Sequence, residues 1–315
     1  MWILYAICSA FCLGFYDIAK KRALEGNAVL YVLTCSVIIS SLLLLPMAVA
    51  SYLWPEMLMN TMFFVPQVSF HDHLLILLKA VIVLLSWIFA YYSMKHLPIT
   101  LVTPINATRP MWTLLGAVLI FGEVLNGWQW AGVIVALLSF YAFSLVGKTE
   151  GISWTNNPWL LALLAATLLG ACSGLYDKYL MRSLDRNAVQ VYYTCYQAIL
   201  MLILLGLQHL LHRMDCRREA VGKKPLLPLH STAKPRWKGA ILMISIFLVV
   251  SDSVYLFALS YPDSLISVVS TVRRGGCIIA FVYGAIVLHD KNIRRKAICL
   301  VGVLLGMIFL LLGTL

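Results

Sequence analysis

The sequence predicts an all-α membrane protein: ten transmembrane helices, arranged as two inverted five-helix repeats around a central cavity. Three observations carry that expectation. The first is composition: of 315 residues, 62% are apolar and 12% charged, and the mean hydropathy is +0.89. A soluble domain holds about 45–50% apolar and about 25% charged residues. The second is the length of the apolar runs, such as "LLILLKAVIVLLSWIFAYYSM" and "ICLVGVLLGMIFLLLGTL". Barrel strands alternate apolar and polar residues; these runs are unbroken, so helices satisfy the backbone. The third is an internal duplication.

Taking about 20 apolar residues per span, ten spans are expected, at roughly 2–19, 28–50, 74–95, 99–121, 127–146, 157–180, 188–210, 239–259, 265–288 and 294–314. The first residues lack a basic lead-in and a small-residue cleavage site, so they read as a span and not a removable signal. Turn or cap residues mark most breaks: Asn27, Pro98, Asn126, Asn187 and Pro262-Asp263. Asn27 reads as the N-cap of the second span. The long basic loop at about 211–238 reads as a solvated cytoplasmic connector. His209 and His212 sit i, i+3 without a nearby acid or cysteine cluster, so no metal is expected there. The eight cysteines lack C-x-x-C spacing and read as small buried hydrophobes.

Loops after spans 1, 3, 5, 7 and 9 hold 3, 1, 1, 8 and 4 Lys/Arg, seventeen of the 24 in the chain. The positive-inside rule places those loops in the cytoplasm and both termini outside, in a cytoplasmic (inner) or plasma membrane. The net charge of +11 is then a topology signal, and no nucleic-acid partner is expected.

"CLGFYDIAKKRALEGNAVLYVLTC" at 12–35 overlies "CSGLYDKYLMRSLDRNAVQVYYTC" at 172–195, with 11 of 24 positions identical. The identities include Tyr16/Tyr176, Asp17/Asp177, Arg22/Arg182 and Asn27/Asn187. "YYSMKHLPITLVTPINATR" overlies "YLFALSYPDSLISVVSTVR", pairing Tyr91/Tyr255, Pro98/Pro262 and Arg109/Arg273. Two copies of a unit with an odd number of spans sit in opposite orientation, residues 1–150 against 151–315. Inverted repeats around a midplane site are a recurrent carrier architecture.

With "GEVLNGWQWAGVIVALLS" after the fourth span, the chain resembles the EamA-type branch of the drug/metabolite transporter superfamily. The carriers of the resemblance are Gly122, Glu123, Gln129 and Gly132, with the Pro98 and Pro262 turns. The resemblance implies transport of a metabolite and leaves the substrate open. In the second half "LHDKNIRRKAICLVG" puts His289-Asp290 near the Gly-Glu position, which makes the motif a helix-end and packing signal. Familiar members have cytoplasmic termini; the charge count here argues for the reverse.

Ionisable residues inside spans are costly and mark function by default. Arg109 and Arg273 fall near the bilayer middle, and the planar guanidinium fork suits carboxylate or phosphate. Pairing with Asp17, Asp177 or Asp252 is the alternative. Arg274 follows at once and cannot face the same way as Arg273. Asp252 lacks a counterpart in the first half and is the candidate proton carrier; a helix-to-helix bond with Ser251 and Ser253 is its alternative. Tyr91, Tyr255, Asn106, Thr103, Thr108, Gln197 and Trp112 are candidate cavity-lining residues. Tyr16 and Tyr176 read as interface-belt anchors. Lys79 is expected to snorkel, Glu123 to be solvated, and Gly275-Gly276 to permit close helix packing. Lys20 and Lys21 are expected at the cytoplasmic face. Asp17 and Asp177, repeated in the last turn of a helix where the dipole disfavours an acid, read with Arg22 and Arg182 as symmetric gate or structural latches.

No Walker, Rossmann, G-x-S-x-G or H-E-x-x-H pattern occurs, so neither an enzyme nor a cofactor is expected. The leading reading is a secondary exporter of a small anionic or zwitterionic metabolite, working by alternating access with proton coupling. A carrier of a phosphate-bearing lipid or phosphorylated metabolite is the alternative, and a membrane sensor or structural protein the alternative of another class. The expected partners are the lipid bilayer and a small-molecule or lipid-phosphate substrate. Monomer and homodimer both stay open.

Overall fold

The computed structural model describes residues 2–59, 61–121, 124–150, 152, 157–181, 183–220, 235–259 and 266–313. Arg182, Gly122, Glu123, Pro262 and the 221–234 part of the basic loop lie outside them. The described residues form helices and no strand: α1 (Trp2–Leu24), α2 (Val29–Leu53), α3 (Pro55–Leu58), α4 (Phe70–His96), α5 (Ile99–Ala107), α6 (Arg109–Phe121), α7 (Gly127–Thr149), α8 (Pro158–Leu180), α9 (Arg186–Ala220), α10 (Gly239–Leu259), α11 (Ile266–Arg274), α12 (Cys277–Ile286) and α13 (Ile293–Leu312). Among the described residues, six stretches are long and apolar enough to cross a membrane: α2, α4, α7, Pro158–Asp177 of α8, Arg186–Leu211 of α9, and α13.

The exposed face of these helices is apolar. On α13, Ile298, Val301, Leu305, Ile308 and Leu312 form an exposed stripe, while Lys296, Cys299, Val303, Gly306 and Leu310 turn inward. That inverts the pattern of a soluble surface helix and fits a lipid-facing stripe.

Sequence chemistry sets the helix ends. Ser69 and Asp72 close a capping box on α4, and Asn126 and Gln129 close one on α7. Lysines cover C-terminal carbonyls. Lys21 Nζ donates to Met94 O at 2.8 Å and Leu97 O at 2.7 Å, and Lys238 Nζ to Arg22 O at 3.0 Å and Glu25 O at 2.5 Å.

The runs at 99–121 and 265–288, each expected as one continuous span, are each broken into two helices among the described residues. Pro110 has no N–H, so Asn106 O loses its i+4 donor, and the chain tightens with Thr108 N bonding Ile105 O at 3.1 Å. This separates α5 from α6 just before Arg109. In the second half Gly275-Gly276 separates α11 from α12. The pair also permits close packing: a Cβ on Gly14 of α1 would lie 2.8 Å from Gly276 O, and one on Gly276 would strike Ala10 O.

The two halves interleave. α1 packs on α10 and α4 on α8; α2 meets α9, and α7 meets α13. Ser9 Oγ donates to Ser251 O at 2.8 Å and Ser251 Oγ to Ser9 O at 3.0 Å across α1–α10, and Ser86 Oγ to Ala166 O at 2.8 Å across α4–α8. The α7–α13 seam is glycine against glycine: a Cβ on Gly132 would lie 2.8 Å from Gly306 O. Small residues let backbones approach where no hydrophobic force between helices exists. In the stretch that carries the resemblance, Gln129 thus caps a helix and Gly132 packs one.

Asn27 is not a helix cap; the N-cap of α2 is Ala28, without a side-chain bond. Asn27 instead clamps the backbone before α10: its Oδ1 accepts from Arg236 N at 2.9 Å and its Nδ2 donates to Arg236 O at 2.7 Å. Its repeat mate Asn187 does the same before α4, donating to Met62 O at 2.8 Å and Phe64 O at 2.9 Å. Each half of the chain therefore grips the other half's backbone.

Candidate functional site

Two broken spans bring arginines to their breaks. Arg109 opens α6, and Arg273 and Arg274 close α11, whose last turn favours cations. Arg273 is ion-paired with Asp252 of α10, their side chains 12% and 19% exposed. Arg273 Nη2 also donates to Ser251 Oγ at 3.2 Å, and its guanidinium lies 4.5 Å over the Tyr255 ring, a cation–π contact. Tyr193 of α9 donates its hydroxyl to Asp252 Oδ2 at 3.3 Å. Arg273, Asp252, Tyr255 and Tyr193 are one cluster; Tyr193 was not singled out in the sequence, and only its place across from Asp252 reveals it.

Arg109 is held differently. Its Nη2 reaches Asn106 Oδ1 at 3.4 Å, an oxygen that also accepts from Thr167 Oγ1 at 3.2 Å. Its Nε is buried without a hydrogen-bond partner. The guanidinium rests on the α8 backbone, for a Cβ on Gly170 would lie 2.5 Å from Arg109 Cζ. No carboxylate pairs with Arg109 among the described residues. Trp112 stands one turn on, its Nε1 donating to Thr108 Oγ1 at 3.2 Å. Thr103 is buried, its hydroxyl donating to Ile99 O of its own helix at 2.9 Å. Tyr91 is 1% exposed within the main apolar cluster.

The duplicated acids find separate bases. Lys20 Nζ donates to Asp17 Oδ1 at 2.6 Å and lies 4.5 Å over the Tyr16 ring and 5.6 Å over the Tyr91 ring. Lys20 and Tyr16 are buried, so Lys20 is no free surface charge and Tyr16 no belt anchor. Lys79 does not snorkel: it lies on α4, its Nζ 2.6 Å from Asp177 Oδ1 of α8 and 4.6 Å from the Tyr193 ring centre. That approach is an ion pair by distance without the alignment of a hydrogen bond. Arg22 leaves Asp17 alone and donates its Nε to Tyr283 Oη at 2.6 Å. The repeat conserved the acid and not the base because the two lysines come from different elements.

A cavity with room for about one water lies between α2, α4, α9 and α10, lined by Ser40, Gln190, Tyr193, Thr194, Gln197 and Asp252. Ser40 Oγ and both amide atoms of the fully buried Gln197 have no protein partner. Sequence reading missed a second buried ion pair, between α13 and the C-cap of α7. Lys296 Nζ, 0% exposed, lies 2.8 Å from Glu150 Oε1 and donates to Glu150 Oε2 at 2.9 Å, with Thr100 Oγ1 at 3.3 Å. Asp290 joins there, accepting from Thr100 N at 3.2 Å and Thr100 Oγ1 at 2.6 Å, which caps α5. By sequence Lys296 groups with Arg294 and Arg295 as one of the four loop charges after the ninth span, and only its helical phase sets it apart.

Helices with apolar outer faces and ion-paired interiors define a multi-pass helical membrane protein. Residues 1–145 match the model of the EamA-like transporter family, part of the drug/metabolite transporter superfamily. The first 145 residues are therefore similar to EamA-like transporters. No curated protein sequence matches it.

Proposed function

We propose that this chain is a secondary transporter that exports a small anionic or zwitterionic metabolite by alternating access. The partly buried guanidinium of Arg109, its Nε without a hydrogen-bond partner, carries the reading. An arginine at a helix centre costs about 2.5–3.5 kcal/mol on insertion scales, and Arg109 has a weak bond to one amide oxygen where Arg273 has a carboxylate. It also stands at the first residue of α6, where the helix's own positive end adds to the field. A ligand anion offsets both.

The inverted five-plus-five arrangement supplies the motion. Its supports are the duplication, the odd number of spans per copy, and the mirrored pairing of α1 with α10 and α4 with α8. The two asparagine clamps and the two broken spans add to it. Asp17–Lys20 and Asp177–Lys79 are placed as gate latches, and Asp252 as the proton carrier. Lys20 and Lys296 leave the tally as buried structural charges, and the remaining fifteen basic residues support a cytoplasmic loop 211–238 with the termini outside.

The test is Arg109→Gln in proteoliposomes. Anion uptake should fall at least about tenfold, the equivalent of about 1.4 kcal/mol, with the fold retained. Uptake of every tested anion at the wild-type rate would defeat the reading.

A further inference from the structure

We infer that the central site takes a phosphate monoester in its doubly charged form, held between Arg109 and Arg274. The inference rests on the transport site proposed above and names what fills it. α11 packs against α1 and meets α6, which brings four cations to one region: Lys20 of α1, Arg109 of α6, and Arg273 and Arg274 of α11. Two carboxylates act on them. Asp17 is engaged by Lys20 at 2.6 Å, and Asp252 by Arg273. A third acid, Asp177, is engaged by Lys79. Two guanidiniums are left over.

Arg109 has an unpartnered buried Nε and one hydrogen bond at 3.4 Å to an amide oxygen it shares. Arg274 is partly buried and makes no hydrogen bond or ion pair among the described residues. α11, which ends on Arg274, meets α6, which opens on Arg109, so the surplus lies in one region. Adjacent residues on a helix diverge, which explains why Arg273 reaches Asp252 and Arg274 does not. The residue that the repeat pairs with Arg109 is thus spent on a carboxylate, and its neighbour is left to bind.

The surplus is two positive charges. A carboxylate or sulfate ester cancels one. A phosphate monoester carries close to two negative charges above its second pKa of about 6, and its three terminal oxygens accept forked donors from two guanidiniums. The same group occurs on soluble phosphorylated metabolites and on lipid phosphates, so the chemistry is shared between those sources.

The experiment uses the full chain in lipid nanodiscs, with binding read by calorimetry and thermal shift. Methyl phosphate should bind at about pH 7.5 and at least about tenfold more weakly at about pH 5, where it is a monoanion. Methyl sulfate, of the same shape and always singly charged, should be weak at both. Arg274→Gln should lower methyl phosphate affinity about tenfold or more, and Arg274→Lys should restore part of it. Nanodiscs containing phosphatidic acid distinguish the source: competition between that lipid and methyl phosphate places a lipid headgroup in the site, and its lack with methyl phosphate bound leaves the soluble ester. Equal affinity for methyl sulfate and methyl phosphate in the wild type overturns the inference, as does unchanged affinity in folded Arg274→Gln. Transport of anions without preference for the dianion overturns this inference and leaves the transport reading intact. Methyl phosphate binding without transport of any anion does the converse.

Discussion

Lys296→Met should destabilise the folded chain by about 3–5 kcal/mol, the range for removing one partner of a buried ion pair. The methionine matches the stem of Lys296 in size, so little packing is lost. The cost arises from Glu150, which is 4% exposed and is left with only Asn292 Nδ2 at 3.2 Å as a neutral donor. The pair ties the C-terminal end of α7 to α13, and Thr100 ties it to α5. Removing both charges in Lys296→Met/Glu150→Met should recover most of the loss, because the desolvation penalty vanishes with its source. Thermal unfolding in detergent measures both variants. A single variant within about 0.5 kcal/mol of wild type, the usual range for surface changes, contradicts the network as described.

Asp252→Asn should combine a stability loss with a change in coupling. It leaves the Arg273 guanidinium, 12% exposed, without its carboxylate, and the penalty again falls near about 3 kcal/mol. Arg273→Gln with Asp252→Asn should be more stable than Asp252→Asn alone, a coupling that a double-mutant cycle reads directly. The functional consequence follows from geometry. Asp252 lies on α10 and Arg273 on α11, so any exchange of this ion pair for another partner is linked to helix movement. The wild-type transport rate should depend on pH, and the Asp252→Asn rate should not. Unchanged pH dependence of uptake in Asp252→Asn vesicles removes Asp252 from the coupling path.

Apolar runs made the class legible, because lipid as solvent acts on every outward side chain at once. The duplication was legible because identical residues recur in register. Partners across space were not. A lysine near a span end can reach water or a carboxylate, and its own sequence cannot distinguish them: Lys79 meets Asp177 and Lys20 meets Asp17, while Lys21 caps α4. Asn27 and Asn187 looked like caps since asparagine before a helix usually is one, yet they hold the opposite copy's backbone. The breaks at Thr108 and Gly275-Gly276 had visible causes, Pro110 and the glycine pair, which the hydropathy of the runs outweighed. Arg273 and Arg109 share a repeat position but not a partner, since Asp252 exists in one half only.

Access to the Arg109 site from both faces tests the central claim most directly. In a functional variant with its eight native cysteines replaced, Asn106→Cys puts a single thiol beside Arg109. Membrane-impermeant thiol reagents are applied to sealed vesicles from outside, and then from inside. Alternating access predicts labelling from either side, slowed by a bound anion. Labelling from one side only, or from neither, contradicts it.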